Sequence, residues 1–150
     1  MVSNNEELMY NYFKKIFIKM MMKDGNKSTS ERIFEEAFYH LRKKQTSENE
    51  YKNPKQLFVE VLSKSGPLAI VSTKRRGRRS IQIPVALNNK RRVSIASKWI
   101  IEGAKARNDQ TMGLRLAKEL FFLNSGQGKA LKNQTLMHKQ AFANRFNTNF

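Results

Sequence analysis

Apolar positions repeat at intervals of three and four over most of this chain, and at intervals of two over one short stretch. From Leu8, the series Leu8, Met9, Tyr12, Phe13, Ile16, Phe17, Met20 and Met21 traces one face of a helix. Lys14, Lys15, Lys19 and Lys23 lie mostly off that face, which reads as core. Asp24-Gly25-Asn26 stops the pattern. Ser28-Thr29-Ser30-Glu31 has the form of a capping box, so a second helix is expected from Ser28 to about Lys44, burying Ile33, Phe34, Ala37, Phe38 and Leu41. Gln45 to Lys52 is polar and reads as a loop. Asn53-Pro54 supplies an N-cap and a first-turn proline for a third helix. Its inner face is Leu57, Phe58, Val61 and Leu62, and Gly66-Pro67 ends it.

The period then changes to two. LAIVST (68–73) and SIQIPVAL (80–87) are rich in β-branched residues, and Ile81, Ile83, Val85 and Leu87 alternate with Ser80, Gln82, Pro84 and Ala86. Between them stands KRRGRR, with Gly77 where a hairpin turn needs positive φ. Pro84 cannot donate to a ladder, so its strand must have a free edge. The expectation is an isolated two-stranded ribbon, about 68–88, tipped by Lys74, Arg75, Arg76, Arg78 and Arg79. Lys90, Arg91 and Arg92 follow at its base. A fourth helix is expected from about Arg91 to Arg107, with Ile95, Ala96, Trp99, Ile100, Gly103 and Ala104 as a packed stripe whose small residues let another helix approach. Asp109 is a plausible N-cap for a fifth helix, 110–124, with Leu116, Leu120 and Phe121 inward and Arg115 and Lys118 outward. After the turn at Ser125–Gly128, a last helix, about 129–145, carries Leu131, Leu136, Met137, Ala141 and Phe142. The fold class is therefore mainly α: a single six-helix domain, 1–150, with a two-stranded β-ribbon between helices three and four.

Charge sharpens this picture. The chain has 150 residues, 29 Lys+Arg against 12 Asp+Glu, and a net charge of +17. No acid occurs between Glu60 and Glu102, where Lys64, Lys74, Lys90, Lys98 and six arginines gather, and none follows Glu119. Such a cluster repels itself unless a polyanion lies against it. Arginine outnumbers lysine there, and its planar fork grips phosphate with two hydrogen bonds and stacks on bases. Lys98 and Arg107 can lie beside the ribbon's charges.

Enzyme chemistry has little to stand on. With no cysteine, disulfides, thiolate nucleophiles and cysteine zinc sites are excluded. His40 and His138 fall on different helices without neighbouring ligands, so no metal site is expected. Gly25-Asn26-Lys27-Ser28 lacks the upstream strand and glycines of a nucleotide-binding loop. Glu35 and Glu36 are adjacent and point to different sides of a helix, so they form no acid/base pair. No cofactor is implied. The longest apolar run, IFIKMMM, is too short to cross a bilayer, and no signal peptide is visible.

Several segments together resemble the small-subunit ribosomal protein seven family. Asp24-Gly25-Asn26-Lys27-Ser28-Thr29 is similar to that family's junction between helices one and two. Gln82-Ile83-Pro84-Val85, Arg91-Arg92 and Lys98-Trp99-Ile100-Ile101-Glu102-Gly103-Ala104 resemble its ribbon and fourth helix. Met112-Gly113-Leu114-Arg115-Leu116-Ala117-Lys118-Glu119-Leu120 and the segment from Lys129 to Phe146 complete the likeness, which covers nearly the whole chain in order.

The resemblance implies a non-enzymatic protein that binds the 3′ major domain of small-subunit rRNA and nucleates assembly of the head. It implies a ribbon near the tRNA exit site and the mRNA exit, beside protein eleven of the platform, and a protein that is monomeric within the ribosome. By match, Lys23, Lys27, the cations of Lys74 to Arg79, Arg91, Arg92, Lys98, Arg115 and Lys118 become candidate RNA contacts, joined by Lys90 and Arg107 from their place in the pattern. Family members usually begin with a basic arm before the first helix. Here the chain starts almost at that helix, so that arm's contacts are expected to be missing or supplied by another protein. Abundant Asn, Lys, Phe, Ile and Met without cysteine suits an AT-rich organellar genome, and the expected location is a mitochondrial ribosome, with a bacterial cytoplasm or a plastid as alternatives. Two other readings of the charge stand beside this one. One is an architectural DNA-binding protein wedging Pro84 into a minor groove, although Pro84 lies mid-strand and not at the tip. The other is a binder of anionic membranes through helix one.

Overall fold

A computed structural model describes residues 4–47 and 53–149. Six helices are found: α1 (Asn4–Met21), α2 (Lys27–Ser47), α3 (Pro54–Ser65), α4 (Asn89–Lys105), α5 (Met112–Asn124) and α6 (Lys129–Ala143), with a closing 3-10 turn at Arg145–Asn149. Strands β1 (Ala69–Arg76) and β2 (Arg79–Ala86) pair antiparallel between α3 and α4, as the change of period requires. Among the described residues no helix is long and apolar enough to cross a membrane.

The core begins as an aromatic cluster. Phe17 of α1, Phe34 of α2 and Phe58 of α3 are fully buried, and Phe58 meets the other two edge-on at 5.4 and 5.3 Å between ring centroids. Such edge-to-face pairs contribute beyond the area they bury. The apolar cluster continues through Leu57, Val61 and Leu62 to Ala96, Ile100 and Ala104 of α4 and Leu116 and Leu120 of α5. Asn53 caps α3 through its side-chain oxygen, which accepts from Lys55 N at 3.1 Å, and Pro54 opens the helix.

Some local expectations are corrected. The inner stripe of α1 is Tyr10, Phe13 and Phe17, with Ile18 also buried, while Leu8, Met9, Tyr12 and Met20 are exposed. Tyr10 takes the inner position because its ring lies against Phe38 and Phe58, at 5.9 and 6.1 Å. Burial raises its hydroxyl pKa above the ordinary 10.0, with nearby Arg42 lowering it and Glu35 adding to the rise. Helix α2 starts at Lys27, so Ser28 lies inside the first turn and its hydroxyl reaches the Asn26 side chain instead of capping. The helix also runs through Ser47, beyond Lys44, and the rest of the expected loop, 48–52, lies outside the described residues. Thr111, not Asp109, caps α5: its hydroxyl accepts from Leu114 N at 3.3 Å. Helix α4 starts two residues before Arg91, capped by Asn88, and ends at Lys105; α6 stops at Ala143.

The ribbon is only half free. Ile83 is 8% exposed, whereas both strands are open to solvent toward the turn. Its root is fastened by α6 and the closing turn. Gln134 Nε2 donates to the carbonyls of Lys64 and Gly66 at 2.7 and 3.2 Å, and His138 Nε2 accepts from Leu68 N at 3.0 Å. Asn147 donates to the Gln82 carbonyl at 2.9 Å. Gln134 and His138 are one turn apart, so one helical stripe does this. Only Ala130 of α6 is fully buried; Leu136 and Phe142 face solvent. The clamp is polar.

Candidate nucleic-acid interface

The tip is built by the turn. Arg76 pairs with Arg79, leaving Gly77 and Arg78 as a two-residue loop, and Gly77 has φ +58°. Glycine in the first loop position with positive φ matches a type II′ hairpin, whose twist fits the strands. Counting pairs from the turn makes Val71–Pro84 a non-hydrogen-bonded pair, so the donor that proline lacks would have pointed off the edge. Pro84 therefore costs the ladder nothing. Lys74, Arg76 and Arg79 share a face with Ile83, and Arg75 stands on the other. All five tip cations are exposed. Arg76 and Arg79 lie directly opposite, and like charges in that position repel. An anion between them would remove the repulsion.

A second cluster opens α4. Lys90 and Arg91 are exposed and Arg92 is half-buried, all in the first turn. Cations at the positive end of a helix dipole cost about 0.3–1 kcal/mol each, which a phosphate would reverse. Arg92 packs its Cβ over Gly66, and its Nε is enclosed without a hydrogen-bond partner among the described residues. Lys98, exposed, follows Arg91 by seven residues and so continues its stripe. Lys105, also exposed and seven residues further on, extends it and was not among the expected contacts.

The third group lies at the junction of α1 and α2. Asp24 and Gly25 both take positive φ and reverse the chain, leaving Lys23 and Lys27 exposed on either side. Lys27 pairs with Glu31 at 3.4 Å. Lys14, Lys15, Lys19 and Lys27 line one groove whose floor includes Ile18 and Met22. Sequence reading placed the three α1 lysines off the apolar face without naming them as contacts. The spacing of Lys15, Lys19, Lys23 and Lys27 by fours was the available signal.

Arg107, Arg115 and Lys118 are held by protein groups around α5. Arg107 lies beyond the far end of α4, roughly 24 Å along the axis from the ribbon's base, so it does not sit beside the ribbon's charges. Its Nη2 and Nε meet Oε2 of Glu119 at 2.7 and 2.8 Å, and its guanidinium stacks on Phe122 at 4.5 Å. Glu119 is 3% exposed. Gly103 makes room for it, since a Cβ there would stand 2.6 Å from Oε1. The small residue expected to admit a neighbouring helix admits that helix's carboxylate. Arg115 Nε donates to the Asp109 carbonyl at 2.6 Å, and Lys118 pairs with the Asp109 carboxylate. His40 lies 3.8 Å from Glu36, and among the described residues no group of three histidine, cysteine or acidic side chains could hold a metal.

The model of the family described as ribosomal protein S7p/S5e matches residues 3–145. The small ribosomal subunit protein uS7 of Polynucleobacter asymbioticus is 35% identical over 134 residues, covering 89% of this chain and 83% of that protein. The uS7 proteins of Ralstonia pickettii and Burkholderia cenocepacia are 35% and 36% identical over the same shares. The chain belongs to the ribosomal protein S7 family. Membership of the S7 family embraces the ribbon, the opening of α4 and the junction of α1 with α2 within one matched span. It ends at Arg145, one residue short of Phe146.

Proposed function

We propose that the protein is a structural constituent of the small ribosomal subunit that binds the 3′ major domain of its rRNA and nucleates assembly of the head. The observation that carries this is the ribbon: five exposed cations stand at the end of a hairpin whose other end is fastened to the body. The contacts assigned to RNA are Lys74, Arg75, Arg76, Arg78 and Arg79 at the tip, Lys90, Arg91, Arg92 and Lys98 on α4, and Lys23 and Lys27 at the α1–α2 junction. Arg107 and Lys118 contribute through charges shared with Glu119 and Asp109, and Arg115 contributes from a side chain anchored on the Asp109 carbonyl. Folded RNA would be recognised by shape, phosphates and 2′-hydroxyls more than by sequence. In this reading the ribbon approaches the tRNA exit site and the mRNA exit, beside protein eleven of the platform, and one copy serves each ribosome without a cofactor.

Filter binding of the purified chain to a 3′ major domain transcript tests it. Affinity should fall steeply with salt, and Arg91→Ala should weaken binding by on the order of 1–3 kcal/mol if Arg91 makes a strong contact. Equal binding to duplex DNA of the same length would refute the assignment. The relatives named are bacterial, and composition favours a mitochondrial ribosome. Sedimentation of the chain with small subunits from separated mitochondria and cytoplasm of its source decides the location.

A further inference from the structure

The chain ends its last helix on a stack of three side chains. The guanidinium carbon of Arg145 lies 4.1 Å from the centroid of the Phe142 ring and 4.4 Å from that of Phe146. Arg145 Nη1 also donates to the Phe142 carbonyl at 3.2 Å, which helps hold the guanidinium there. Yet Phe142 is 66% exposed and Phe146 72% exposed, so both keep aromatic surface open to solvent. Two large rings in water add little to the fold, since burial is what makes a ring stabilising.

Place and charge say what would cover them. Asn144 and Asn147, which flank Arg145 and Phe146, reach the side chain and the carbonyl of Gln82 at 3.4 and 2.9 Å. The stack is thereby fixed beside β2, and Gln82 stands three residues, roughly 10 Å of strand, from the tip cation Arg79. No Asp or Glu follows Glu119 in the sequence, whereas Lys129, Lys132, Lys139 and Arg145 do, so the charged side chains around the stack are basic. A flat partner attached to a polyanion fits both the rings and the charge.

We propose that Phe142, Arg145 and Phe146 form a stacking platform for an unpaired base of single-stranded RNA. The proposal rests on the RNA-binding reading above and adds a second kind of contact to it. Phosphates meet the ribbon tip, while a neighbouring base lies flat on a phenylalanine that the arginine orients from its other side. Every base has a π-face, so the platform tolerates sequence, and it selects unpaired bases because paired ones are already stacked.

The test uses the full chain and two heptanucleotide RNAs, one with a central 2-aminopurine and one with a central abasic site. The wild-type chain should quench the 2-aminopurine and bind the intact oligonucleotide roughly ten-fold more tightly than the abasic one, within the range of one base on one aromatic ring. The double variant Phe142→Ala, Phe146→Ala should bind both equally, with an unchanged melting temperature because neither ring is buried. The variant Phe142→Tyr, Phe146→Trp should restore the preference. Salt-dependent binding by wild type with no preference for the intact RNA overturns the platform and leaves the RNA-binding reading standing. Absent or salt-insensitive binding to both oligonucleotides also overturns the platform, while filter binding to the 3′ major domain transcript decides the RNA-binding reading separately. If preference is absent and the alanine variant fails to enter subunits reconstituted with the other small-subunit proteins, the rings are a protein contact and the platform is wrong.

Discussion

In the lower half of the ribbon, Ile83 is enclosed and three side chains from the end of the sequence bind Leu68, Gly66 and Gln82. In the upper half, Lys74 to Arg79 face solvent, and the one cross-strand pair at the turn sets arginine against arginine. Both halves share one hydrogen-bond ladder and one register. Stability is therefore concentrated at the root and charge at the tip. A hairpin this small is marginal alone, so an arm that must hold cations away from the body needs its base clamped. Because the clamp is polar, it aligns the arm through directed bonds where an apolar contact would allow sliding.

Separating the halves by mutation gives the largest effect at the tip. Replacing Lys74, Arg75, Arg76, Arg78 and Arg79 by alanine should lower affinity for a 3′ major domain transcript by on the order of 100-fold or more at physiological salt, and flatten the salt dependence. Thermal unfolding should stay within about 2 °C of wild type, since these groups are exposed and mutually repelling. A melting temperature that fell with the affinity would show that the tip supports the fold, and the contrast would collapse. At the root, Ile83→Ala should cost about 2 kcal/mol in urea unfolding through lost burial. RNA affinity at low salt should change far less than in the tip variant; a comparable loss would mean that root and tip act as one unit. The smallest effect belongs to His138→Ala, about 1 kcal/mol for one backbone hydrogen bond. Its signature is local: the Leu68 amide should exchange with deuterium faster while amides of α3 do not. Unchanged protection at Leu68 would remove the clamp from the account.

The parts of this arrangement that are close in sequence were legible before the structure. Alternation from Ile81 to Leu87, Gly77 between basic pairs and Pro84 in an edge strand gave the ribbon's place, turn and free edge. Asn53-Pro54 gave the start of α3 and its cap. What escaped depends on partners far apart in the chain. Gln134 and His138 on the last helix, and Asn147 just beyond it, look like ordinary polar positions until the carbonyls and amides 65 to 70 residues earlier are in view. Glu119 read as the last acid before a basic tail, whereas it lies under Gly103 bound to Arg107. On α1, hydrophobicity favoured Leu8, Met9 and Tyr12 over Tyr10, because no local signal says which aromatic ring meets Phe58. The tip and the first turn of α4 were visible as uninterrupted charge; the α1 lysines carried a weaker signal in their spacing by fours, and only the fold puts them in one groove with Lys27 of α2.

The clamp also has a meaning in time. Synthesis completes the hairpin at Ala86, well before it reaches Gln134, His138 and Asn147. Domains organise from the amino end as they emerge, so the cationic finger is displayed on an unfinished body before anything fixes its direction. A chain cut short before Gln134 would still carry every charge of the tip, on an arm free to swing, and synthesis of α6 and the closing turn becomes the event that aims it.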